Sequence, residues 1–246
     1  MPRLESDLED VDEAVELASL AKSLVFGLDF TSDSLKTGDM GNLVSDRLFH
    51  LFQVSLRAIS TLGSKVTLKE YYYNICFRYL AGMSDVSGIS GIHKRHSIQT
   101  IKSAGERFID FVCDDAHGGG ATCRISALLV LVAMVKLGKS ENSKYIIESL
   151  QRLNFIGILV ESIQNITIDL RDVKTQGSLH RCFWSIFMLT MIDVDIYLSY
   201  CHAKLALLLS ISQTRFGAAA VLNSGLFYSI QASNLFTIDP DLGVGM

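Results

Sequence analysis

Tyr145-Ile146-Ile147-Glu148-Ser149-Leu150, followed by Asn154-Phe155-Ile156 and then Leu159, reads as an apolar helix that stops at an Asn and restarts at once. The pattern returns downstream as Ala218-Ala219-Ala220-Val221, then Gly225-Leu226-Phe227 and Ile230. In register, Leu150 matches Val221, Asn154 matches Gly225, Phe155 matches Leu226 and Leu159 matches Ile230. Asn and Gly tolerate the backbone conformation that closes a helix. Two helices joined by so short a stop must fold back on each other.

That turn is the way armadillo and HEAT units pass between stacked helices, each unit burying its apolar face on its neighbours. The rest of the chain agrees. Only Pro2 and Pro240 occur, one at each end, so the long interior lacks the strongest helix breaker. Val11, Ala14, Val15, Ala18, Ala21 and Val25 share one helical face, as do Leu48, Leu51, Phe52, Leu56 and Ile59 before Gly63. Thr67-Leu68-Lys69-Glu70 has capping-box spacing and opens a helix running to about Ala81. Ser97 is placed as the cap of one helix carrying Ile98, Ile101, Phe108, Ile109 and Val112, and Thr122 as the cap of the next. A long helical stretch begins near Ser178 with Phe183, Phe187, Met191 and Val194, and a separate helix spans Lys204 to Ser212. The strand signal at Ile166-Thr167-Ile168-Asp169-Leu170 is short and has no hairpin partner. The expected fold class is all-α: an α-solenoid of stacked armadillo/HEAT-like repeats with about eleven helices. Residues 1–246 form one segment of it, with a loop break near 114–121, where Asp114-Asp115-Ala116-His117-Gly118-Gly119-Gly120 disfavours a helix.

Composition narrows the function. Apolar residues are 49% of the 246, charged residues only 20%, and the mean hydropathy is +0.31. The longest purely apolar run, Ala127 to Val135, is nine residues and ends at Lys136, against about 20 for a membrane span. No direct membrane span is expected, and much of the surface should be buried against partners or against further parts of a longer chain. A net charge of −4 gives no support for nucleic-acid binding. Cys76, Cys113, Cys123, Cys182 and Cys201 form no C-x-x-C pair and read as small core hydrophobes. The first helix is acidic on its outside and is expected to form an edge. The segment from Phe227 to Met246 is apolar and lacks a polar capping helix, so the chain is expected to be a fragment whose C-terminal face is hydrophobic and covered by a neighbour.

Candidate sites are few. His117-Gly118-Gly119-Gly120 has the look of an oxyanion loop, but no G-x-S-x-G turn accompanies it; Gly88-Ile89-Ser90-Gly91 lacks the spacing. Asp114, Asp115 and His117 have no second ligand cluster to complete a metal site. His93-Lys94-Arg95-His96 is a compact basic patch able to meet an acidic segment or phosphate. Asn165-Ile166-Thr167 matches the glycosylation sequon without a secretory context. Tyr71, Tyr72, Tyr73, Phe77 and Tyr79 wind around one helix, with most expected in the core and at least one tyrosine near the surface. No catalytic, metal-binding or cofactor-binding residue is assigned, no cofactor is expected, and the chain is read as a non-enzyme.

Phe216-Gly217-Ala218-Ala219-Ala220-Val221-Leu222-Asn223-Ser224-Gly225-Leu226, followed by Asn234-Leu235-Phe236-Thr237-Ile238-Asp239-Pro240-Asp241-Leu242-Gly243, resembles the C-terminal region of the large scaffold nucleoporins of the nuclear pore inner ring. The resemblance covers about a third of the chain with any specificity. It implies a long, non-enzymatic α-solenoid at the nuclear pore complex, with other nucleoporins as partners. Short helical or extended segments of linker nucleoporins would dock on it, in support of protein and mRNA transport. No individual binding residue carries over. The alternative is another armadillo/HEAT adaptor or a nuclear transport receptor; the single Trp184 argues against a tryptophan-lined groove.

Overall fold

The computed structural model describes residues 2–30, 39–61, 66–85, 91–166 and 184–234. Among these residues there are eleven α-helices, one 3-10 turn and no strand. The helices are α1 (Pro2–Gly27), α2 (Asp39–Thr61), α3 (Val66–Asp85), α4 (Gly91–Ala104), α5 (Glu106–Gly118), α6 (Ala121–Ser140), α7 (Tyr145–Arg152), α8 (Phe155–Glu161), α9 (Trp184–Ser212), α10 (Arg215–Asn223) and α11 (Leu226–Ala232). The 3-10 turn, Ser162–Asn165, follows α8. The fold is all-α and solenoid-like, its helices packing against one another, and it divides into a unit of residues 1–149 and a unit of residues 150–246.

In the first unit α3 is the hub, packed by α1, α2 and above all α6. Helix α6 buries Cys123, Ala127, Leu128, Leu131, Met134 and Leu137 among others, on every side of its axis. Helices apolar all round belong in a core. By length and composition α6 could cross a membrane, yet 67% of its most apolar window is buried inside the protein, which is the position of a core helix. Phe52 of α2 stacks on Tyr79 of α3 with ring centroids 4.7 Å apart. After α1 the chain returns to α3: Phe30 lies on the bare backbone of Gly82, where a Cβ would meet its ring at 2.6 Å. The Arg78 guanidinium donates to the Leu28 carbonyl at 2.9 Å and lies 5.2 Å from the Phe30 ring centre.

Several local expectations are corrected. Ser97 is not a cap: it lies inside α4, where its hydroxyl donates to the His93 carbonyl at 2.8 Å and pairs with the Tyr79 hydroxyl at 3.1 Å. A serine can spend its hydroxyl on its own helix in this way, so the residue type alone does not mark a start. The single helix expected across 97–112 is two, parted at Gly105, whose φ of 80° suits glycine. The residue at the start of α6 is Gly120, and the Thr122 hydroxyl instead donates to the Glu70 carboxylate of α3 at 2.6 Å. Glu70 is thus used across the packing, and α3 opens at Val66, before Thr67. The loop over 114–121 narrows to Gly119 and Gly120, because α5 continues through Asp114, Asp115 and His117. Lys204 to Ser212 is the end of the long helix α9, not a separate one. Gly63, Ser178, Phe183, Cys182 and most of the Ile166–Leu170 alternation lie outside the described residues.

The repeat of residues 145–159 and 218–230 is visible in the backbone. Asn154 (φ 54°) separates α7 from α8, and Gly225 (φ 85°) separates α10 from α11, both left-handed. The turn hydrogen bonds match: Asn154 N–H to Gln151 O at 2.9 Å and Gly225 N–H to Leu222 O at 3.0 Å. Thr214 caps α10 by accepting the Gly217 N–H at 3.0 Å. Gly217 sits against the end of α9, where a Cβ would collide with the Ile211 carbonyl oxygen.

Candidate functional site

In the second unit α9 presents two apolar faces. One buries Cys201, Ala203, Leu207, Leu208 and Ile211. The other leaves Leu198, Leu205 and Leu209 exposed at i, i+7 and i+11. Helix α10 packs on α9, and α11 on α10, and these add exposed Leu222, Phe227 and Tyr228. Phe227 and Tyr228 are 73% and 70% exposed, because the left-handed turn at Gly225 starts α11 with Ser229 inward and the two rings outward. Aromatic side chains in the open contribute little to folding and are enriched where proteins meet. Beneath this surface polar groups are satisfied: Lys204 Nζ donates to the Ser162 hydroxyl at 3.2 Å and sits 4.6 Å from the Tyr200 ring centre, and Gln164 donates to Ser229 at 3.2 Å.

In the first unit Leu17, Leu20 and Leu24 make an exposed stripe on α1 at i, i+3 and i+7. The acidic outer face expected of α1 is present in exposed Asp12, Glu13 and Glu16, and these leucines share the surface with it.

The sequence candidates fall mostly into structural roles. Asp115 accepts from Lys69 Nζ at 2.8 and 3.1 Å and from the Tyr73 hydroxyl at 2.6 Å, so one of the tyrosine triplet and one of the acidic pair meet. Asp114 and His117 are exposed, and no group of three or more His, Cys, Asp and Glu among the described residues could hold a metal ion. Tyr73 and Tyr79 are buried; Tyr71 and Tyr72 are half-buried, with Lys22 Nζ 5.3 Å from the Tyr71 ring centre. Of the basic patch, Arg95 reaches Glu141 at 3.4 Å and His96 lies 6.2 Å from the Phe49 ring.

Cys76, Cys113, Cys123 and Cys201 are free and buried, as their apolar settings suggested. Burial pushes the Cys123 thiol up to about 11 and the Tyr79 phenol to about 12. It raises Cys76, Cys113 and Tyr73 further; for Tyr73 the hydrogen bond to Asp115 adds to burial. Ordinary values are 9.0 for the thiol and 10.0 for the phenol, so every folded value lies above its unfolded one. The folded state holds these protons more tightly. Their stabilisation is complete below pH 9 and is lost as pH rises beyond it, by up to about 1.4 kcal/mol per pH unit per group. Thermal unfolding at pH 8 and pH 10.5 should show a lower Tm at the higher pH; an equal or higher Tm would refute the assignment.

Sequence reasoning missed Leu205, Leu209, Leu222, Phe227 and Tyr228 as individual residues. A signal was present: α9 carries more apolar positions than one core-facing stripe requires.

Residues 1–246 match the family described as Nup192, nuclear pore complex scaffold, nucleoporins 186/192/205. The chain is also 36% identical over 262 aligned positions to nucleoporin NUP192 of Chaetomium thermophilum, a match covering 94% of this chain and 15% of the relative. It therefore spans about 15% of that relative's length. With the family matched over its whole length and an all-α, solenoid-like fold, the chain belongs to the Nup192 family of scaffold nucleoporins, whose place is the nuclear pore complex at the nuclear envelope.

Proposed function

We propose that this chain is a non-catalytic scaffold segment that holds a short helical segment of a linker nucleoporin on the surface formed by α9, α10 and α11. The observation that carries this is the pair Phe227 and Tyr228 on α11, more than two-thirds exposed, together with exposed Leu222 on α10 and exposed Leu205 and Leu209 on α9. An amphipathic helix with anchors at i, i+3, i+4 and i+7 would cover such a surface. The leucine stripe of α1 suits a different neighbour, an adjacent helix of the same longer polypeptide. By holding linkers in place the segment supports nucleocytoplasmic transport of protein and mRNA.

Linker nucleoporin segments titrated onto the wild-type chain and onto Phe227→Ser/Tyr228→Ser test this. Loss of the anchors should weaken binding by about 2 kcal/mol or more, roughly 30-fold in Kd. The far-UV circular dichroism should not change. Unaltered affinity in the double variant, or no bound segment at all, would sink the proposal.

A further inference from the structure

A second surface lies in the first unit, independent of α9–α11. Helices α2 and α4 leave a cleft of about 670 Å³ between them. Its floor is buried Leu56 with half-buried Phe49, and Arg57, His96, Gln53 and Gln99 stand around it. Among the described residues no carboxylate lines it.

The charge around the cleft is one-sided. Residues 47–61 and 91–104 hold five of the chain's 22 Lys and Arg and three of its six His, but none of its 26 Asp and Glu. This occurs in a chain of net charge −4, so the segregation is local. Neighbouring cations are partly engaged: Arg95 with Glu141, and Lys102 over the Tyr145 ring at 5.6 Å. Two carboxylates are exposed nearby in the chain, Asp46 on α2 just before residue 47 and Glu106, which opens α5. Three of the four lining hydroxyls are also spent, since Ser60, Thr61 and Ser103 each donate to a carbonyl of their own helix, while Thr100 is the fourth. The Arg57 guanidinium and the Gln53 and Gln99 carboxamides have no side-chain partner among the described residues.

An apolar floor rimmed by uncommitted donors and a cation suits one kind of occupant. We propose that the α2/α4 cleft binds an acidic peptide segment of a partner protein. An apolar side chain of the peptide rests on Phe49 and Leu56, and its carboxylates meet Arg57 and His96. A guanidinium–carboxylate contact is charge-assisted and directional, and the surrounding positive field steers the approach. This assigns a role to the His93–His96 patch through His96, the one member that lines the cleft.

The test uses rhodamine-labelled peptides that alternate acidic residues with leucine, and the same peptides with lysine for each acid. Fluorescence anisotropy on the 246-residue chain should show binding of the acidic peptide and not of the basic one. Arg57→Glu should weaken it at least about tenfold, since it removes one charge-assisted hydrogen bond and sets a carboxylate against those of the peptide. Gln99→Glu, which adds a carboxylate to the rim, should act in the same direction. Raising salt from about 50 to about 300 mM should weaken binding as well. Phe227→Ser/Tyr228→Ser should leave it unchanged. The proposal is overturned if the acidic peptide does not bind, if the lysine peptide binds equally, or if Arg57→Glu and Gln99→Glu both leave the affinity intact.

Discussion

Asp115→Ala is expected to destabilise the first unit by about 3–5 kcal/mol, the usual cost of removing one partner from a buried ion pair. The Lys69 side chain is 7% exposed and that of Asp115 19%, so solvent does little to screen them. Without Asp115 the Lys69 ammonium stays buried beside no counter-charge. The Tyr73 hydroxyl loses its 2.6 Å acceptor at the same time, a further penalty of about 1–3 kcal/mol that overlaps the first. Replacing both partners with apolar residues, as in Lys69→Met/Asp115→Leu, should recover most of the loss, because the cost lies in the orphaned charge. Asp115→Asn keeps an acceptor for Tyr73 and should fall between. Urea unfolding at neutral pH measures all three. A loss below about 1 kcal/mol for Asp115→Ala would show that the pair does not tie α3 to α5 in the way argued.

Leu131→Ala and Leu209→Ala should separate by several kcal/mol although each deletes the same atoms. Leu131 is fully buried in α6, and truncation there removes about 2–5 kcal/mol through lost transfer energy and the cavity left behind. Leu209 is 65% exposed on α9, and its truncation should change stability by about 0.5 kcal/mol or less. Binding of a linker segment should respond in the opposite order: Leu209→Ala weakens it while Leu131→Ala, so long as the chain stays folded, does not. Equal losses of stability in the two variants would mean that the outer face of α9 is a core face, and the docking surface would have to be abandoned.

Much of the fold was legible locally. The missing prolines, the apolar spacing in α2 (Leu48, Phe52, Leu56, Ile59) and the stops at Asn154 and Gly225 are statements about the backbone within a few residues, and these held. Errors arose where a local signal had a distant use. Thr122 looked like a cap but bonds Glu70, 52 positions away. Ser97 looked like a start but pairs with Tyr79 from inside a helix. Asp115 looked like part of a solvated loop but closes on Lys69, 46 positions away.

The sequence by itself determined the helical class, the left-handed turn of the repeat and the burial of Cys76, Cys113, Cys123 and Cys201. Each follows from short-range spacing or from residue chemistry that needs no partner to be known. Only the tertiary structure decided which apolar faces remain open. Periodicity says that Leu205 and Leu209 share a face of α9 and that Leu207, Leu208 and Ile211 point elsewhere, but both sets are equally apolar. Which face meets a neighbour depends on where α10 and the rest of the second unit lie, and that is set by packing between residues far apart in the chain.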